Sequence, residues 1–88
     1  MKLKYSFEAV DMGDEIIFVP VGDKASEVHG VLKLNAEGKE VVEALKEDTT
    51  KEKIVQMLAP KYNNDHTELA RYVQNVIDIL NNANLLEM

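Results

Sequence analysis

The sequence predicts an α+β fold in which three strands are followed by three helices. Two observations carry this. Apolar residues recur in twos as far as Leu34, and from Asn35 onward they recur in threes and fours. The first period belongs to a strand with one buried face and the second to a helix. The change falls within Leu34-Asn35-Ala36-Glu37-Gly38, and strands grouped ahead of helices define the α+β class.

The first strand lies in Tyr5 to Met12, where Phe7 and Ala9 alternate with polar residues. Gly13-Asp14 is a turn signal. Glu15-Ile16-Ile17-Phe18-Val19-Pro20-Val21 is rich in β-branched and aromatic residues and forms the second strand. Pro20 lacks a backbone donor and belongs at a strand end, an edge or a bulge. Gly22 to Glu27 reads as a polar loop. The third strand is expected over Val28 to Leu34, with Leu32 and Leu34 on one face and His29, Val31 and Lys33 on the other.

Asn35 is suited to cap the first helix, since its side chain accepts an amide hydrogen bond that the first turn leaves unpaired. Gly38 weakens that helix by up to ~1 kcal/mol relative to alanine, so its use is close approach to a neighbouring element. Val41, Val42 and Leu45 supply the apolar stripe. Thr49 or Thr50 caps a second helix with Ile54, Val55, Leu58 and Ala59 on one face. Pro60 is expected to bend or end it, leaving Lys61 to Asn64 as a frayed exit and loop. The last helix starts between Asp65 and Thr67 and runs to about Asn82. Leu69, Val73, Val76 and Leu80 form its main stripe, with Ala70 and Ile77 on one shoulder and Tyr72, Ile79 and Ala83 on the other. That arc is wider than one neighbouring helix requires and suits both a core and a surface groove. Leu85-Leu86 is expected to fold back as an apolar closure.

A chain of 88 residues with 45% apolar content supports one domain, expected over 1–88, with no internal repeat or linker. It has no cysteine, which removes disulfides, thiol catalysis and cysteine-based zinc sites and agrees with a cytoplasmic location. Met1-Lys2-Leu3-Lys4-Tyr5 is not followed by an apolar run long enough for a signal peptide. No segment approaches the ~20 apolar residues that span a bilayer, so no membrane partner is expected. Sixteen acidic against ten basic residues give a net charge of −6. An anionic surface repels nucleic-acid phosphates and favours basic or mixed-charge partners.

The spacing of Leu34-Asn35, Gly38, Leu45, Thr50, Ile54, Leu58, Tyr62, Val73, Leu80 and Leu85-Leu86 resembles the PqqD family, small recognition elements for ribosomally made, modified peptides. The match extends from the strand at Glu15 through Leu86. One position departs from the family pattern: Val42 stands where an aromatic residue, commonly tryptophan, is frequent. The resemblance implies three antiparallel strands followed by three helices in a winged-helix-like domain. It also implies two partners, the leader region of a precursor peptide and a radical SAM or other peptide-modifying enzyme. The leader would bind as an added strand beside the third strand, in the groove made with the last helix.

An exposed strand edge offers unpaired amides and carbonyls that an extended peptide satisfies. The expected ladder is His29, Gly30, Val31, Leu32 and Lys33, with Gly30 allowing close backbone approach. Val31 and the Tyr72/Ile79 shoulder are expected to receive apolar leader side chains, and Lys33, Arg71 and Asn75 to form the polar rim. Glu68 and Asp78 would favour lysine or arginine in the leader.

Other readings are weaker. His29 and His66 do not make a zinc motif, the Asp11–Glu15 segment lacks the ligands of a calcium loop, and Ser6 and Ser26 have no local base, so neither a cofactor nor an enzyme activity is expected. Pairing of the third strand with a second copy would give a homodimer. A DNA-binding winged helix would use Arg71, Gln74 and Asn75, but Glu68 and Asp78 on the same helix oppose phosphate.

Overall fold

The computed structural model describes residues 1–28, 30–62 and 66–87. Strand β1 (Lys2–Leu3) precedes β2 (Ser6–Asp11) and β3 (Ile16–Val21), and a 3-10 turn at Ala25–Glu27 leads to β4 (Leu32–Leu34). Helices α1 (Ala36–Ala44), α2 (Lys51–Tyr62) and α3 (His66–Asn82) follow, and β5 (Leu86–Glu87) closes the order. The β2-β3-β4 sheet is antiparallel throughout, so the expected three strands and three helices are present.

The β2–β3 hairpin turns at Gly13-Asp14, where Gly13 takes φ 94° and the Met12 N–H donates to the Glu15 carbonyl at 2.8 Å. That bond fixes the parity of the whole sheet. Antiparallel residues alternate between turning both backbone groups toward one neighbour and turning both toward the other. Met12–Glu15 is a bonded pair, so Val10–Ile17 is also bonded, and the backbone groups of Ile16, Phe18 and Pro20 turn toward β4. Leu34 and Leu32, opposite Ile16 and Phe18, therefore bond to β3, and Lys33 turns its N–H and C=O outward.

The same parity explains a correction. The third strand begins at Leu32, not Val28, so Gly30 and Val31 lie in the bend that enters it. The next bonded pair would join position 20 to position 30. Pro20 has no N–H to give, and Gly30 sits at φ 87°, which an extended ladder does not use. Pro20 thus lies inside β3, at the point where pairing with β4 has already stopped.

One face of the sheet and all three helices enclose the core. Ile16 and Phe18 enter it from β3, Val41, Val42 and Leu45 from α1 and the residue after it, and Ile54, Val55 and Leu58 from α2. Leu69, Val73, Val76, Ile77 and Leu80 complete it from α3. Each such side chain contributes roughly 1.5–3 kcal/mol by leaving water. Val42 is 1% exposed, so the position where the family favours an aromatic is filled here by a smaller core residue.

Leu85 and Leu86 fold back as expected, both buried, and Leu86 pairs with Leu3 while Glu87 pairs with Lys2. The clasp was not anticipated from the sequence, since two-residue strands carry no readable period. Lys61 and Tyr62, expected as a frayed exit, are the last residues of α2. Lys61 donates to Glu40 of α1 at 2.8 Å and Tyr62 packs against the core, which hold the turn in place despite Pro60. Asn63, Asn64 and Asp65 lie outside the described residues. No described helix is long and apolar enough to cross a membrane.

Candidate functional site

Sheet order places β4 at an edge, and its outward backbone groups meet no other strand among the described residues. β1 pairs with β5 and does not cap that edge. The free edge carries the Lys33 N–H and C=O, with the Lys33 side chain exposed on the solvent face.

Two contacts fix how α3 runs beside this edge. At one end, the Tyr72 hydroxyl donates to Asn35 Oδ1, immediately after β4. At the other, Ala83 beyond α3 joins Val31 and Leu32 in lining a cavity of about 310 Å³. Helix and strand therefore run antiparallel, and the distance from Tyr72 to Ala83 is about 16 Å at ~1.5 Å per residue. At ~100° per residue, Tyr72, Ile79 and Ala83 fall within about 40° of one another. They form one stripe facing the strand edge. Asn75 lies about 60° from Tyr72 on the solvent side, and Arg71 about 100°. Asn75 is the nearer rim and Arg71 the farther one, both exposed.

The sequence-predicted residues separate along this frame. Ile79 is 47% exposed and Val31 54% exposed, so each is an apolar side chain left open beside the groove. Leu32 is half-buried and turns its backbone to β3, so it lines the floor and offers no edge group. Within the strand only Lys33 presents edge groups, because alternate residues face opposite neighbours, and the rest of the expected ladder lies before the strand begins. Gly30 is needed for its positive φ, and a side chain there would meet nothing within 4 Å, so close backbone approach is not its use in the chain itself. His29 lies outside the described residues.

Residues that sequence reasoning missed lie at the far end. Tyr5, Phe7, Glu27, Val28, Asn84 and Leu85 complete the cavity with Gly30, Val31, Leu32 and Ala83. Phe7 faces inward from β2, and Tyr5 Oη lies 3.5 Å from Glu27 Oε1 across the mouth. The sequence signal was the alternation of Phe7 and Ala9, which reads as core and does not say that a cavity opens at the end of that face.

The near end is built from the Leu34-Asn35-x-x-Gly38 segment. Asn35 Oδ1 accepts from the Gly38 N–H at 2.9 Å as the α1 cap and from Tyr72 as well. A Cβ on Gly38 would stand 2.7 Å from Leu34 Cβ and 3.1 Å from Tyr72 Oη. Close approach is what the glycine permits, as its position in a helix implied. Burial in this junction, the nearby Glu37 charge adding to it, raises the Tyr72 pKa above the usual tyrosine value. Glu68, about 40° from Tyr72 on the solvent side, between Ile79 and Asn75, is exposed, and Asp78 accepts from Gln74 Nε2 at 2.8 Å. Among the described residues, no group of three or more His, Asp or Glu side chains is arranged to hold a metal ion.

A short open strand edge, flanked by an apolar helix stripe and closed at one end by a side-chain junction, makes the candidate site. The chain belongs to the PqqD family: the family model described as coenzyme PQQ synthesis protein D matches residues 23–86. That match begins at Asp23, later than the strand at Glu15, and spans β4 and all three helices. Its fold is similar to that of TbiB1, solved in complex with the TbiA(beta) leader peptide, with a TM-score of 0.74 and 23% identity. The alignment covers 99% of this chain and 95% of TbiB1, and at that identity it establishes the fold. No curated protein matches the chain.

Proposed function

We propose that the protein is a non-catalytic peptide chaperone. It holds the leader segment of a ribosomally made precursor as an added strand on β4 and presents the remainder to a radical SAM or other modifying enzyme. The observation that carries this is the uncovered β4 edge alongside the Tyr72, Ile79 and Ala83 stripe. An incoming extended peptide finds there the hydrogen-bonding rim and apolar wall that strand addition needs. Family membership and the leader-bound state of TbiB1 support the same reading.

In this reading Lys33 supplies the main-chain pair. Val31, Leu32, Tyr72 and Ile79 receive alternate apolar side chains, while Arg71 and Asn75 form the outer polar rim. The protein would raise the rate by positioning and by raising effective concentration, with no bond chemistry of its own. Ordering a peptide costs roughly 1–2 kcal/mol per residue, and the Asn35–Tyr72 junction preforms one end of the groove against that cost. Nucleic-acid binding is the poorer use of the same helix, because Arg71 is accompanied by Glu68 and Asp78.

The test is titration of the labelled protein with a candidate leader peptide, comparing wild type with Val31→Asp and Ile79→Asp. Both exposed positions tolerate a charge in the free protein, and both should weaken binding at least about tenfold by placing that charge against the peptide. Unchanged affinity in both variants would remove the groove from the function.

A further inference from the structure

We propose that the solvent face of the sheet, opposite the core, is a second docking surface for a protein with an apolar centre and a basic rim. Naming the modifying enzyme as that protein rests on the function proposed above; the surface itself does not. Side-chain alternation sends Phe7, Ala9, Ile16, Phe18, Leu32 and Leu34 inward. The opposite positions of β3 are Ile17, Val19 and Val21, all apolar, with Val10 of β2 directly across from Ile17. Val10, Val19 and Val21 are 42%, 37% and 37% exposed. An antiparallel sheet with one wet face ordinarily alternates apolar and polar residues, and β3 does not.

Charge selects the occupant. Glu8, across from Val19, and the hairpin residues Asp14 and Glu15 border the patch with exposed acids, against Lys33 on β4. A second copy fits poorly. A two-fold axis along the strands would lay one acidic hairpin tip on the other, and an axis across them at the level of Val19 would lay Glu8 on Glu8. Three strands of this length offer roughly 200–300 Å². That falls well short of the ~800 Å² per partner of a stable interface and suits a transient contact guided by opposite charge. The groove edge and this face lie on different sides of β4, so both can be occupied at once.

The experiment uses the full chain, a fluorescent leader peptide and the purified enzyme that modifies the precursor. Val19→Lys should lower affinity for the enzyme at least about tenfold, leaving leader affinity within about twofold. Glu8→Lys, on the rim where folding is not at stake, should weaken enzyme binding and reduce its salt dependence. Enzyme affinity unchanged in Glu8→Lys, and in Val19→Lys if that variant folds, overturns the proposal. So does sedimentation showing wild type as a dimer that Val19→Lys makes monomeric, which would give the face to a second copy. A wild-type protein that ignores the leader defeats the earlier proposal alone, since the comparison of enzyme affinities still reads out this face.

Discussion

The Tyr72 hydroxyl and the Asn35 side chain meet across the junction of α3, β4 and α1, and the same Asn35 oxygen caps α1 through the Gly38 N–H. One atom thus ties the helix that walls the groove to the strand that edges it. Asn35→Ala should lose both bonds and cost about 1–2 kcal/mol in urea unfolding. Tyr72→Phe loses one and should cost about 1 kcal/mol. The double variant should fall short of the sum by about 0.5–1 kcal/mol, because the shared bond is removed only once. Full additivity would show that the two side chains act independently.

Gly38→Ala pits helix propensity against packing. Alanine gains about 1 kcal/mol in a helix interior. Its Cβ would lie 2.7 Å from Leu34 Cβ, an atom fixed to the backbone, so β4 or α1 must shift. Overpacking of this kind typically costs 1–3 kcal/mol, roughly, and a net lowering of the melting temperature is expected. A rise would mean that the junction opens without penalty.

Tyr72 also gives the protein an alkaline limit. Its folded pKa is raised, chiefly by burial, so the folded state holds the phenolic proton more tightly than the unfolded state. The stabilisation is complete below the ordinary tyrosine value of 10.0 and is lost as pH rises through the folded pKa. Urea unfolding of wild type should weaken above pH 10, and Tyr72→Phe should flatten that decline. Equal slopes in the two proteins would assign the alkaline loss elsewhere.

Lys33→Pro tests the edge directly. The Lys33 N–H points away from β3, so proline deletes no bond of the sheet, and edge strands tolerate it. Leader affinity should drop about tenfold, the equivalent of one hydrogen bond, while Lys33→Ala stays near wild type. Circular dichroism should show both variants folded. Equal losses in both would point to the side chain, not the backbone.

Much of this fold was legible where residues carry a period. The Asn35 cap, the α3 stripe through Leu69, Val73, Val76 and Leu80, and the fold-back of Leu85-Leu86 all appear where the pattern places them. β4 is shorter than expected because Val28 to Leu34 alternates as one strand would, while the residue that shortens it, Pro20, sits on the neighbouring strand. Pairing between strands is not a local property, so the effect of Pro20 on Gly30 could be seen only once the register was known. The cavity residues Tyr5, Phe7 and Asn84 were hidden for a related reason, since alternation says which way a side chain points and not what lies above it.

For the leader capture proposed above, Pro20 has a final effect on selectivity. By ending the β3–β4 pairing at Leu32, it leaves a visiting segment few main-chain handholds on the host. Extended shape by itself then gains little, and any polypeptide that merely happens to be unfolded is held loosely. Discrimination must come from which side chains the visitor carries and where they fall, so a brief strand makes for a choosy host.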